Sequence, residues 1–372
     1  MAVLSEEQSM LRDATKAWIG EKSPVGALRK LRDLGNADGF DRAVWREMAE
    51  MGWAGILIPE EFGGAGLGYL TLGLVLEEAG RTLTASPLIS TALAAAAALI
   101  LGGNDSQKAA WLPKIAQGAV VAALAVDEGP HHHPENIALK AAKSGGGFAL
   151  SGKKAFVLDG GSADLIVVAA RTDTGVTLFL VEGGAKGLSR QRLHSLDSRG
   201  VADLAFDNVE ADAQSVLGEV GRGAPLLEKI LDRARAGLAA EMLGTATQAF
   251  EITLDYLKTR TQFGQPIGTF QALQHRAAKM FTDLELTRSC VEAALAAIDR
   301  EANDVPQLVS LAKAKASELL HLVSNEMVQM HGGIGMTDAH DAGLYLKRAR
   351  VAEATYGAAA YHRDRYATLL EY

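Results

Sequence analysis

One cysteine, Cys290, is all the thiol chemistry this chain of 372 residues holds. An internal disulfide is excluded, and a reducing, cytoplasmic compartment fits. Cys290 lies inside a helical stretch, residues 283–299, and reads as a structural thiol rather than a nucleophile. Positive charge is not in excess either. The formal net charge is −8, with both signs spread along the chain and no polybasic tail. That argues against a nucleic-acid or anionic-membrane surface. No apolar run is long enough to cross a bilayer, which takes about 20 residues. The run at 91–101 is alanine-rich and reads as a buried core helix. The opening Met1-Ala2-Val3-Leu4-Ser5-Glu6-Glu7-Gln8 starts a polar helix rather than a signal peptide. No internal repeat is visible.

What is present is apolar and segregated. Hydrophobic residues make up 48% of the chain, enough for large globular cores. Residues 5–118 read as helices, the first opened by the capping box Ser5-Glu6-Glu7-Gln8. Breaks at Ser23-Pro24, Pro59, Gly63-Gly64 and Gly102-Gly103 punctuate the others. From 120 to 217 the period changes to six short β-rich runs, at 120–126, 148–150, 155–158, 165–170, 176–181 and 202–206. Their spacing predicts a small antiparallel barrel or sandwich. Long helical patterns return from 221 to 370. The order implies an α+β fold in three domains, 1–118, 119–218 and 219–372.

Two segments in the last third suit a dinucleotide. The first is Arg260-Thr261-Gln262-Phe263-Gly264-Gln265-Pro266-Ile267-Gly268. Arg260 offers a charged planar fork for a pyrophosphate, and Phe263 a flat apolar face. The second, Gln329-Met330-His331-Gly332-Gly333-Ile334-Gly335, ends an amphipathic helix at 305–330. Gln329 offers amide donors and an acceptor, while Gly332 and Gly333 let backbone approach a ligand closely. Together these segments resemble the FAD-binding signatures of acyl-CoA dehydrogenases. The resemblance runs over the full length. Residues 52–66, Gly52-Trp53 through Ala65-Gly66, look like the family's segment near the acyl pocket, with Trp53 and Phe62 as packing residues. It implies an N-terminal helical domain, a middle β-barrel and a C-terminal four-helix bundle. It also implies FAD held by Arg260, Phe263, Gln271, Gln329, Gly332 and Gly333, with the glutamine and glycines coming from a neighbouring subunit. Asp232 would hold the pantetheine arm of the substrate, and Arg235 would line the surroundings of the base.

The chemistry implied is α,β-desaturation of an acyl-CoA thioester, in which a carboxylate removes the α-proton. Family members place that glutamate at one of two positions. Here those positions hold Tyr356, in Ala354-Thr355-Tyr356-Gly357-Ala358, and Ala234. Neither replaces a carboxylate near neutral pH, since tyrosine titrates at about 10. A relocated base has one candidate. The helix at 226–258 carries an apolar stripe through Leu227, Leu231, Ala234, Leu238, Thr245, Ala249 and Ile252, and Glu241 falls on it. A carboxylate there is either paired with a cation of a neighbouring helix or functional. Glu241 lies about 10.5 Å along the helix from Ala234, on the same face.

The middle segment departs from the family as well. The family's Thr-Glu-Pro-x-Ala-Gly-Ser-Asp loop becomes Val126-Asp127-Glu128-Gly129-Pro130-His131-His132-His133-Pro134-Glu135-Asn136. The Trp-x-Thr at the flavin edge becomes Phe156-Val157-Leu158. Adjacent histidines converge on one ion less well than an i, i+4 pair on a helix does, so His131-His132-His133 reads as solvated loop or a lid near an acyl-CoA, with no metal. The losses cluster on the base and the ring-facing loop, while the cofactor-tail motifs are intact. That split resembles small subunits of heteromeric acyl-CoA dehydrogenases, which form tetramers with a larger partner supplying the glutamate. The alternatives are a self-sufficient homo-oligomer using Glu241 and a degenerate paralogue that only binds acyl-CoA. The resemblance further implies a place in lipid metabolism and β-oxidation, and an electron-transferring flavoprotein as acceptor.

Overall fold

The computed structural model describes residues 4–372, so Met1-Ala2-Val3 of the expected opening lie outside them. Helix α1 spans Glu6–Lys22, and its capping box forms as expected, Ser5 and Gln8 each bonding the other's backbone. It is followed by α2 (Val25–Asp33), α3 (Arg42–Glu50) and α4 (Gly68–Arg81). The alanine-rich run is a wide π-helical stretch, Leu88–Ala95, continuing into α5 (Ala96–Gly102). Residues 88–99 are all buried, in keeping with a core helix. Helix α6 (Asp105–Ala116) starts on a second capping box, Asn104 and Gln107.

The β segment is one sheet of eight strands: β1 (Ala122–Ala125), β2 (Lys140–Ser144), β3 (Gly147–Leu158), β4 (Leu165–Thr172), β5 (Gly175–Glu182), β6 (Leu188–Arg192), β7 (Val201–Ala211) and β8 (Val216–Leu217). Their order is β6-β7-β3-β2-β4-β5-β8, with β1 added beside β4. Two expectations need correcting. The runs at 148–150 and 155–158 are one bent strand, β3, whose register on β7 slips at Leu150/Gly152 and again at Lys154/Val157. The slips coincide with positive φ at Gly152 and Phe156. The sheet is also not purely antiparallel, because β1 runs parallel to β4. Its core is filled by Leu150, Ile166, Val168, Phe179, Leu204 and Val209 with their small neighbours, and Phe148 meets Phe179 edge-on at 5.2 Å.

Four long helical segments follow: α7 (Gly223–Thr259), α8 (Gln271–Asp299), α9 (Val305–His331) and α10 (Ala342–Ala354), closed by α11 (Ala359–Leu369). Helix α9 packs against α8, α10 and α11. A two-stranded hairpin, β9 (Thr261–Gln262) and β10 (Gln265–Pro266), joins α7 to α8. Packing divides the chain differently from element type. One unit takes the chain through Leu28, Tyr69–Thr84 and Arg235–Tyr372; the other takes Arg29–Gly68 and Ala85–Ala234. Helix α7 contributes to both, since its 37 residues extend for about 55 Å. Among the described residues no helix is long and apolar enough to cross a membrane.

Candidate active site

The cofactor-tail motifs lie at one end of the C-terminal helices. The α7 register ends at Arg260, whose N–H still donates to the Tyr256 carbonyl at 2.8 Å. The chain then turns through Phe263 and Gly264, at φ +55° and +79°. Two residues at positive φ between Gln262 and Gln265 make the turn that fits a tight hairpin. It presents Phe263 to solvent at 90% exposure, with Phe270 edge-on at 6.1 Å. Gln271 opens α8 and is exposed. At the other motif, α9 stops because Gly332 takes φ +62° and ψ −138°, a conformation open only to glycine. Gln329, Gly332 and Gly333 are exposed, and a Cβ on either glycine would meet nothing within 4 Å. The Tyr256 ring lies 4.3 Å from the His331 ring, and the Tyr256 hydroxyl is 3.4 Å from the His331 carbonyl. The end of α7 that leads into the first motif thus meets the second motif at His331.

This donor set fits a dinucleotide tail. A guanidinium, two primary amides, bare glycine backbone and an uncovered aromatic face are what a pyrophosphate and a purine require. An exposed phenylalanine held in the left-handed region has no packing purpose inside the chain.

Glu241 sits where the stripe put it, at 3% exposure in a row of buried residues. It is paired. Arg348 of α10 donates from Nε to its carboxylate at 2.9 Å, and Nη2 lies at the same distance. Its helix is held close to α4: a Cβ on Gly80 would collide with the Glu241 carbonyl, and Thr245 donates to the Gly80 carbonyl at 3.1 Å. A carboxylate engaged by a buried guanidinium meets the structural expectation and makes a poor relocated base.

The turn at 354–358 holds Tyr356, the residue that the resemblance sets at one of the two glutamate positions. Tyr356 is buried and left-handed, at φ +55°. Its carbonyl accepts from Arg235 Nε at 3.3 Å and lies 3.0 Å from His362 Nε2. Arg235 also stacks over the Tyr361 ring at 5.5 Å and donates to its hydroxyl at 3.1 Å. Lys313, fully buried on α9, donates to the carbonyls of Ala352, Glu353 and Gly357 at 2.9–3.3 Å. It thereby caps the last turn of α10, where the helix dipole favours a cation. Burial, then the nearby Arg235 charge, pushes the Lys313 ammonium down to about 7. Burial and the Lys313 charge push His362 down to about 2, so its ring is neutral. Lys313, His362 and Tyr361 were not read from the sequence. Lys313 was findable, since Val309, Lys313, Ala316, Leu320, Val323 and Met327 form an apolar stripe on α9, all buried. Ala234, the second base position, is buried and apolar. Asp232 is buried at 3% exposure rather than solvated.

In the β unit, the two segments that depart from the family adjoin. Ala155 N–H donates to the Asp127 carbonyl at 2.7 Å, and Lys154 Nζ donates to the Val126 carbonyl and to Glu128 at 2.8 and 2.6 Å. Burial, opposed by Glu128, brings Lys154 down to about 8. The histidine triplet is not wholly solvated, which corrects the expectation. His132 is buried, with Nδ1 at 2.9 Å from both carboxylate oxygens of Asp127, a hydrogen bond made only once the loop folds back on itself. His131 and His133 do stay at the surface. Among the described residues no three His, Cys, Asp or Glu side chains converge as metal ligands would. Phe156 is exposed, lifted by the bulge in β3.

Comparison with known proteins covers nearly the whole chain. Family models match for the acyl-CoA dehydrogenase N-terminal domain over residues 5–119, the middle domain over 127–209 and the C-terminal domain over 221–370. The mitochondrial isovaleryl-CoA dehydrogenase of Pongo abelii is 32% identical over 379 residues, covering 97% of this chain and 88% of that protein. Among solved structures, a variant of the steroid ACAD Tcur3481-Tcur3483 superposes with a TM-score of 0.91 at 33% identity, covering 98% of each chain. The ChsE4-ChsE5 complex from Mycobacterium tuberculosis gives a TM-score of 0.91 at 27% identity, covering 100% of this chain and 99% of that one.

Proposed function

The chain belongs to the acyl-CoA dehydrogenase family, whose cofactor is FAD, and from that premise we propose that it is one subunit of a heteromeric acyl-CoA dehydrogenase whose partner supplies the catalytic glutamate. One observation carries this reading. The cofactor-tail residues stand exposed and complete, while the position of the base holds Tyr356, buried and clamped by its own carbonyl. When bound, FAD supplies the hydride acceptor for the β-hydrogen of the acyl chain. The work of this chain is binding. Arg260 offsets the pyrophosphate charge, Phe263 covers the adenine, Gln271 and Gln329 donate amide hydrogen bonds, and the backbone at Gly332 and Gly333 closes on the tail. Asp232 is assigned to the pantetheine arm. Arg235 holds the turn at 354–358 through the Tyr356 carbonyl. The electron acceptor in this reading is an electron-transferring flavoprotein, and the assembly is a tetramer acting in lipid β-oxidation.

The ChsE4-ChsE5 structure is a complex of two named chains, and its likeness supports a paired assembly here. The alternative, a homo-oligomer using Glu241 as base, is disfavoured by the Glu241–Arg348 pair. A paralogue that only binds acyl-CoA would have no use for the exposed tail motifs. The test is to purify the chain alone and with a second acyl-CoA dehydrogenase chain that keeps its glutamate. Bound FAD and acyl-CoA-dependent reduction of an artificial acceptor are measured in both. Turnover only in the mixed assembly is expected, and strong turnover by the chain alone would sink the proposal.

A further inference from the structure

The two cofactor-tail motifs have no sequence reason to sit at a fixed distance from each other. Arg260 ends α7 and Gly332 ends α9, with all of α8 between them. Between them lies a row of three tilted rings, beside the hydrogen bond from the Tyr256 hydroxyl to the His331 carbonyl. Tyr256, one turn before Arg260, lies 4.3 Å from His331 at an interplanar angle of 30°, and His340 lies 4.3 Å from His331 at 42°. His331 is the residue immediately before Gly332. Its orientation is fixed, since Nδ1 donates to the Met327 carbonyl at 2.7 Å.

The row of rings is not what a simple core would use here. His331 Nε2 is buried with no hydrogen-bond partner. A buried acceptor left unpaired is costly, and a leucine or phenylalanine would avoid that cost. A flat ring in close contact with two others offsets it, because ring–ring contacts constrain angle and distance where an aliphatic side chain does not. Burial, opposed by the Met327 hydrogen bond and aided by the neighbouring His340, holds the His331 imidazole below its ordinary range.

We infer that Tyr256, His331 and His340 are positioning residues for FAD, setting the separation between the arginine that takes the pyrophosphate and the glycine backbone that closes on the tail. The inference rests on the FAD role assigned above, with both motifs of one chain serving the same FAD rather than divided between neighbouring subunits as the resemblance implies. It adds three residues that do not touch the ligand yet govern its affinity by keeping both halves of its site in register.

The test measures FAD affinity by flavin fluorescence, using the full chain in whichever form, alone or partnered, retains FAD. ADP serves as a second probe for the tail alone. His331→Ala should weaken FAD by about ten-fold or more, a typical size for coupling between distant groups. Tyr256→Leu should do the same, which guards against a folding defect peculiar to one variant. His331→Phe keeps the ring contacts and discards the nitrogens, so it should restore most of the affinity, which a role in hydrogen bonding would not allow. In an Arg260→Ala background, His331→Ala should cost much less, because there is one motif left to align. FAD affinity within two-fold of wild type in both His331→Ala and Tyr256→Leu would overturn the inference and leave the FAD role standing. Failure of every form of the chain to bind either FAD or ADP would remove both.

Discussion

Two regions of the C-terminal helices have been built to opposite specifications. At the hairpin and the end of α9, Arg260, Phe263, Gln271 and Gln329 stand in water beside bare glycine backbone. At the turn of 354–358, Tyr356, Lys313, Arg235 and His362 are buried, and the carbonyls they meet are satisfied. The first region has donors and an aromatic face with nothing inside the chain to use them. The second has used its donors on itself. A ligand site shows as unspent hydrogen-bonding capacity, and a closed one as capacity already consumed. Under the proposed function, the residues assigned to the cofactor tail show the former and those at the assigned base position the latter.

The largest expected effect lies in the closed region. Arg348→Leu removes the guanidinium that pairs with the Glu241 carboxylate, and removing one partner of a buried pair costs about 3–5 kcal/mol. A shift of that size should show in urea unfolding. Glu241→Gln in the FAD-loaded assembly should leave substantial turnover per folded molecule, whereas loss of all turnover with flavin still bound would make Glu241 the base. At the open region the effect should fall on the ligand alone. Arg260→Ala removes charge-assisted hydrogen bonds worth about 1.5–3 kcal/mol, so FAD should bind roughly 10- to 150-fold more weakly, with an unchanged melting curve of the apo chain.

A pH arm sharpens the contrast. Lys313 is held at about 7 when folded, against an ordinary 10.5. Between those values the unfolded chain binds a proton that the folded chain does not, so stability from this group rises with pH. It is fully present above the ordinary lysine value and lost as pH falls through about 7. Lys313→Met should flatten that slope relative to wild type, measured by unfolding midpoints from neutral to alkaline pH. An identical slope in the variant would show that Lys313 does not set it. The smallest effect separates fold from function at two glycines. A Cβ on Gly333 enters open space, so Gly333→Ala should leave stability alone and weaken FAD a few-fold. A Cβ on Gly244 would run into the Glu77 backbone, so Gly244→Ala should destabilise the chain.

How far the sequence could be read depended on whether a residue's partner was local. The helices and the Ser5–Gln8 capping box were legible, because a cap is settled within a few residues, and the Asn104–Gln107 box follows the same rule. Glu241 was legible as an oddity on a stripe, but its partner, Arg348, lies on another helix 107 residues away, so pairing and catalysis could not be told apart. Lys313 obeys the same stripe rule on α9, and the carbonyls it meets lie about 40 residues away, at Ala352, Glu353 and Gly357. Strands β2 and β6, Lys140-Ala141-Ala142-Lys143-Ser144 and Leu188-Ser189-Arg190-Gln191-Arg192, are largely exposed and charged, with no alternation to betray them. The bend in β3 at Gly152 and Phe156 made one strand look like two. His132 looked like solvated loop because only folding puts it against Asp127.

The most direct test of the central claim is α-proton exchange. The chain alone, supplied with FAD, is incubated with a saturated acyl-CoA in deuterated water, and deuterium at the α-carbon is followed by mass spectrometry. With Tyr356 and Ala234 at the base positions and Glu241 tied to Arg348, no exchange above the uncatalysed rate is expected until a glutamate-bearing partner is added. Rapid α-deuteration by the chain alone would show that it carries its own base and would contradict the account.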